Sequence, residues 1–275
     1  GGYVSTSTMT GAQVNKKSDT EIEGSFNTVG RIWGGPEKIR IFFALKLEKP
    51  MERFDSWKGE IKKTDVSSLE AEDVSSPRRE KGMSYHDAPT AGVSAYYHVK
   101  RGDELKVKIA ISYTSIENAW ENMESDFNHW DFEKIREEAR DDWNQSLGKI
   151  DVKGGTRDQR VKFYTDLWHT LLGRHKLNDY SGDYPDYTQG EKKGAHTDAS
   201  LQVRKLPSGA DGNPKFNMYN SDAFWLTQWN LNILWGLGWP HLLDDFSASL
   251  VQYADNGKLL PRGPCAGGYS YIMTG

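Results

Sequence analysis

Between Asn178 and Asp186 the chain carries Asn178, Asp179, Asp183 and Asp186, a cluster of side-chain oxygens of the type that ligates hard cations. The same residues build Asx turns, and turn formation accounts for them better. No Asp-x-Asp-x-Asp-Gly loop of the EF-hand type occurs. His175 and His196 lack the spacing of a metal pair, and a single cysteine, Cys265, excludes a disulfide framework and a cysteine-based zinc site. The acidic pair Asp141-Asp142 lies in a helical pattern, where adjacent residues do not face one another, so it reads as a solvated face. Ten Trp and 13 Tyr supply flat apolar faces on which pyranose rings can stack, although core packing is the commoner fate of any one Trp.

These residues sit in a chain of 275 with 36% apolar and 12% aromatic content, enough for one large domain or two ordinary ones. The net charge of -4, with both signs interspersed, lacks the basic stripe that phosphate backbones demand, so nucleic acid is not an expected partner. No run of about 18 apolar residues offers a membrane span. The start Gly1-Gly2-Tyr3 shows no signal segment and no initiator Met, and the expectation is a chain cut at both ends.

Strand patterns come first. Ile39 to Leu47, Val93 to Val99 and Leu105 to Tyr113 are rich in β-branched and aromatic residues. In the last of these, Leu105, Val107, Ile109 and Ile111 alternate with Lys106, Lys108, Ala110 and Ser112, which predicts an antiparallel sheet with the aliphatic set buried. Lys58 to Pro89 is polar and reads as a hairpin excursion or solvated loop.

After Tyr113 the period becomes helical. Ser115 caps a helix containing Ile116, Ala119 and Met123; Asp131 caps a charged linker helix with Phe132, Ile135, Ala139 and Trp143 on one face. Thr156 and Gln159 have capping-box spacing before a stripe of Val161, Tyr164, Trp168 and Leu171. A long loop from about Gly173 to Met218 is expected next, then helices from Ser221 to about Leu237 and from Leu242 to about Asp255, the second ended by Gly257. Strands before helices predict segregated domains rather than alternating β-α units.

Several phrases in this order resemble glycoside hydrolase family 92, the calcium-dependent exo-α-mannosidases. They are IAISYTSIENAWENMESDFNHWDFEKIREEARDDWNQSLGKIDV from Ile109 to Val152, VKFYTDLWHTLLGRH from Val161 to His175, DYSGDY from Asp179 to Tyr184, YNSDAFWLTQWN from Tyr219 to Asn230 and NGKLLPRGP from Asn256 to Pro264. FFALKLEKPMERFDSWKG fits the family's amino-terminal region more loosely.

The resemblance implies a multidomain fold, β then α: an incomplete antiparallel β-sandwich over residues 1-114, linker helices over 115-150, and the first helices of an (α/α)6 barrel over 151-275. It implies removal of terminal mannose from glycans with inversion, with α-1,2 linkage expected, Ca2+ as cofactor, and a secreted or periplasmic bacterial setting. The family's acid lies in a Gly-Asn-Glu-Pro-Ser type motif and its base in a later Asp loop; neither occurs here, so no catalytic residue and no metal ligand is assigned and the chain alone is expected to be inactive. The positions that match its substrate wall are Asp179, Gly182, Tyr184, Trp225 and Arg262, with Asp222 and Gln228 as substitutes for a lost contact. Leu226, Trp229 and Gly263 stand where the family has Asp, a basic residue and Trp, which puts sugar selectivity in question. Alternatives are a diverged glycosidic specificity, a non-catalytic carbohydrate-binding protein, or an assembly role. Missing helical neighbours predict exposed apolar faces and poor solubility.

Overall fold

A computed structural model describes residues 8–29, 34–58, 61–64, 68–71, 91–172, 175–194, 196–220, 227–261 and 263–271. The first part is β1 (Thr8–Lys16), β2 (Glu21–Val29), β3 (Gly35–Pro36), β4 (Lys38–Leu47), β5 (Arg53–Lys58), β6 (Ile61–Thr64), β7 (Ser68–Ala71), β8 (Ala91–Tyr96) and β9 (Val107–Ser112). Helices α1 (Ile116–Asp126), α2 (Phe132–Leu147) and α3 (Arg157–Leu171) follow. Short strands come next: β10 (His175–Lys176), β11 (Asp183–Asp186), β12 (Glu191–Lys193), β13 (His196–Asp198), β14 (Gln202–Lys205) and β15 (Tyr219–Asn220). The last elements are α4 (Leu231–Gly238), α5 (Pro240–Gly257), β16 (Pro264–Cys265) and β17 (Gly268–Tyr269).

Antiparallel pairing orders one sheet β7-β1-β2-β4-β9 and a second β6-β5-β8. The two share a core in which Val14, Ile22 and Leu47 meet Met51 and Phe54, with Phe43, Leu45, Val93 and Ala95 packed around them. The polar stretch after Lys58 does begin as a hairpin, β6 returning along β5, while β7 crosses to the other sheet.

The alternation in β9 faces the opposite way from expectation. Val107, Ile109 and Ile111 are 46%, 58% and 48% exposed, whereas Lys108 and Ser112 are buried. The cause is α1, which lies over the Ala44 and Ala110 side of the sheet, where small residues let Ala119 and Met123 approach. Lys108 tolerates burial because its Nζ reaches the Phe127 carbonyl at 2.7 Å and lies 4.5 Å from the Trp130 ring centre.

The helix caps follow the sequence. Ser115 Oγ accepts from Asn118 N, Asp131 from Lys134 N, and Thr156 and Gln159 form the full reciprocal box. The apolar stripes are less well covered: α2 buries no residue, and in α3 Leu167 is buried while Val161 is 51% exposed. Trp235, Trp239 and Phe246 join Leu167 in the helical core.

The stretch expected as a long loop is instead pinned by small sheets: β10 pairs with β15, β11 with β14, and β12-β13 continues in parallel onto β3. Buried backbone there must find partners, which a structureless loop would leave unpaired. The helix expected from Ser221 is interrupted, with a turn at 228–230 before Leu231; residues 221–226 lie outside the described ones. At the end of α5 it is Lys258, with φ 63°, that takes the left-handed cap position expected of Gly257. Gly257 is small for another reason, since a Cβ there would overlap the Tyr269 hydroxyl.

Candidate functional site

The segment from Leu177 to Tyr187 is where the strand layers meet the helices. Asp179 is 3% exposed, and its carboxylate accepts from Ser112 Oγ at 2.8 Å, from Asn122 Nδ2 at 2.7 Å, and from the Thr114 hydroxyl. Burial pushes this carboxyl above its ordinary range, against the pull of the three donors, and neighbouring Asp183 adds to the rise. Asp183 is itself opposed by burial, but Asn118, Ser181 and Lys205 outweigh it and hold its carboxyl below the usual range. Asn122 completes the lock: its Nδ2 also donates to the Ile111 carbonyl at 3.0 Å and its Oδ1 accepts from Tyr180 N at 2.8 Å.

A tight turn connects the two carboxylates. Asp179 N donates to Asp183 O and Gly182 N donates to Asp179 O. Gly182 has φ 86°, and a Cβ there would lie 2.9 Å from Pro214 Cγ, so both backbone and space call for glycine. Two residues on, Tyr184 turns inward. It is 1% exposed, packs with Leu177, Leu206, Met218, Tyr253 and Tyr269, and its hydroxyl accepts from Asn256 Nδ2 at 3.0 Å. The aromatic face proposed for a sugar is thus occupied by core, a correction to the sequence reading, because the β11–β14 pairing points this side chain at α5. Asp186 is fully buried, its carboxylate held by Arg204 Nε and by Thr188 N at 2.8 Å.

The other candidates divide by position. Gln228 is an exposed residue of the turn before α4, and Trp229 beside it is 73% exposed. Asp222, Trp225, Leu226 and Arg262 lie outside the described residues. Gly263 is buried, its carbonyl taking a bond from Ser270 N at 3.0 Å.

Among the described residues no group of three or more His, Cys, Asp or Glu side chains converges as a metal site. Asp179, Asp183 and Asp186 spend their oxygens on protein donors, so they do not fit a calcium ion, which takes six to eight oxygens. The described residues support no chemical step through that ion.

Asp179 lines a cleft of about 540 Å³ together with Ile109 and Ile111 of β9, Asn122 and Asp126 of α1, and His175 and Tyr180. Sequence reasoning missed Ser112, Thr114, Asn118 and Asn122. The available signals were polar residues closing a strand otherwise read for its aliphatic side, and two Asn four apart on α1, hence on one helix face.

The family model described as the glycosyl hydrolase family 92 catalytic domain matches residues 118–275. An uncharacterised secreted glycosidase of Arthroderma benhamiae is 30% identical over 86 residues, covering 30% of this chain and 11% of that protein. A family GH92 α-mannosidase of Bacteroides thetaiotaomicron superposes with TM-score 0.75 at 19% identity, over 98% of this chain and 32% of its own. An inverting GH92 mannosidase of the same organism gives 0.72 at 21% identity, over 97% and 31%. At such identities the likeness is one of fold, a β-rich region followed by helices. The chain spans about a third of the length of these solved relatives.

Proposed function

The chain belongs to glycosyl hydrolase family 92, and from that membership we propose that the whole protein is an exo-acting glycosidase that releases terminal mannose, of the α-1,2 type, from glycans with inversion. The catalytic-domain match over residues 118–275 carries this reading. The solved relatives include a complex with mannoimidazole, at TM-score 0.74 and 19% identity over 97% of this chain, which supports a mannose-shaped ligand. In this reading residues 1-114 are part of a β-sandwich, 115-150 are linker helices and 151-275 begin an (α/α)6 barrel. The two stacked antiparallel sheets and the helices after Ile116 agree with that division.

Inversion needs one carboxylic acid at the leaving oxygen and one carboxylate that activates water. Both come from outside this chain. Its own contribution is the wall of the sugar site. Asp179 and Gly182 shape the turn and Tyr184 anchors it in the core, while Asp222, Trp225, Gln228 and Arg262 are the positions offered for contact with hydroxyls and ring. Calcium remains an expectation for the whole protein, with ligands from elsewhere. The setting is secreted, in keeping with the Arthroderma relative's description, and no helix among the described residues is long and apolar enough to cross a membrane.

A diverged specificity is the second reading, favoured by the exposed Trp229 at a position that is basic in the family. One experiment separates them. The whole protein is incubated with α-1,2-linked mannobiose and the anomer first released is followed by NMR, with and without a chelator. The expected result is chelator-sensitive release of β-mannose. Release of another sugar from a panel of disaccharides, with mannobiose untouched, selects the second reading. Hydrolysis by the 275-residue chain alone contradicts the division of labour.

A further inference from the structure

One face of the five-stranded sheet is covered by α1 only in part. Trp120 Nε1 of α1 donates to the Glu23 carboxylate at 2.7 Å, and Ala44 packs against Ala119 and Met123. Alternate residues of a strand share a face, so Ser25 and Asn27 of β2 continue the Glu23 side, and Phe42 and Arg40 of β4 continue the Ala44 side. The register sets Glu70, Gln13 and Ser25 in one rung across β7, β1 and β2. The next rung is Gly11, Asn27 and Arg40 across β1, β2 and β4. These six residues line a hollow of about 220 Å³.

Gly11 contributes no side chain to this hollow, while its neighbours in register are long and polar. Arg40 is held in place: its Nη2 and Nε donate to Ser25 Oγ at 2.9 and 3.3 Å, and its guanidinium lies 5.2 Å from the Phe42 ring centre. A guanidinium carries five N–H donors, so others stay available. Among the described residues Glu70 makes no ion pair, and the half-buried amides of Gln13 and Asn27 have no protein partner. Arg40 opposes a cation here and Glu70 opposes an anion. Two amides that both donate and accept, set between a pure donor and a pure acceptor, match the hydroxyls of a neutral polyol, which also donate and accept. The volume lies below the roughly 300–1,000 Å³ of pockets for drug-sized ligands, which limits the occupant to one ring rather than a chain.

We propose that this face of the sheet binds a single neutral hexose ring of a glycan, with Gln13 and Asn27 on neighbouring hydroxyls and Arg40 and Glu70 at its ends. Aromatic stacking plays no part, because the Phe42 ring beside Ser25 already carries Arg40. Affinity then comes from hydrogen bonds that replace those to water, which makes it weak, on the order of millimolar. Mannose as the sugar rests on the reading of the whole protein as a mannosidase; the site itself rests on the sheet.

The test uses the whole protein and glycosides of mannose, glucose and galactose whose aglycone bears a photoreactive diazirine, with labelled peptides located by mass spectrometry. The expected result is labelling within residues 8–29 or 38–47 that free mannose competes away. It should fall about 10-fold or more in the Gln13→Ala, Asn27→Ala double variant at unchanged circular dichroism. Gly11→Val, which fills the hollow without removing a polar contact, should do the same. Labelling confined to other peptides, labelling that survives both variants, or competition by inorganic phosphate in place of mannose overturns the proposal. Labelling here by the glucose or galactose probe, with the mannose probe silent, upholds the site and counts against the mannose reading. Release of mannose from mannobiose with no labelling here upholds that reading and overturns the site.

Discussion

Asp179 and Asp183, four residues apart, are driven in opposite directions by the same seam. Asp179 is buried and its carboxyl is raised, so its protonated form is favoured by folding; its contribution is largest below the ordinary Asp value of about 3.9 and is lost as pH rises through its higher folded value. Asp183, with a lowered carboxyl, contributes above that ordinary value and loses its contribution as pH falls through the lower folded one. Thermal melts from pH 7 down to about 3 therefore separate them. Asp179→Asn should compare progressively worse with the parent as pH falls toward 4, and Asp183→Asn progressively better below 4. Parallel curves for both variants would contradict the assignment. The sequence made Asp179 visible as a loop carboxylate, but not that Ser112, Thr114 and Asn122 would consume its oxygens. That depends on residues 57 to 67 positions away in the chain, beyond the reach of local pattern.

At the scale of elements, local rules and tertiary fit yield different sensitivities. Thr156→Ala removes one half of the capping box at an exposed helix start and should cost about 1 kcal/mol, read as a shift in denaturation midpoint. Gly257→Ala should cost more, about 1–3 kcal/mol, because its methyl group enters the space of the Tyr269 hydroxyl, which donates to Tyr253 O at 2.9 Å and Leu259 O at 2.8 Å. Equal effects would mean that Gly257 is only a helix end. The caps at Ser115, Asp131 and Thr156 were legible because a cap is a contact between residues three apart. The burial side of β9 was not, since period-two alternation identifies two faces without saying which one a helix will cover.

For the molecule as a whole, the exposed aliphatic and aromatic residues of the helices are the main liability. Leu237 is 82% exposed, Ile233 62% and Val251 58%, while Trp143 and Trp168 meet edge to face beside an open groove on α2 and α3. Apolar surface of this extent drives association. The isolated chain should therefore elute as more than a monomer, and the pair Val161→Lys and Leu237→Lys should shift it toward monomer without altering its circular dichroism. An unmodified chain that is monomeric at high concentration would show that these faces are tolerated. The sequence by itself determined family, the order of strands before helices and the helix starts, because each is written in local type and spacing. Only the tertiary structure decided that Tyr184 is core, that Asp179 is a staple and that the aliphatic side of β9 looks outward, because burial is set by which distant element arrives to cover a face.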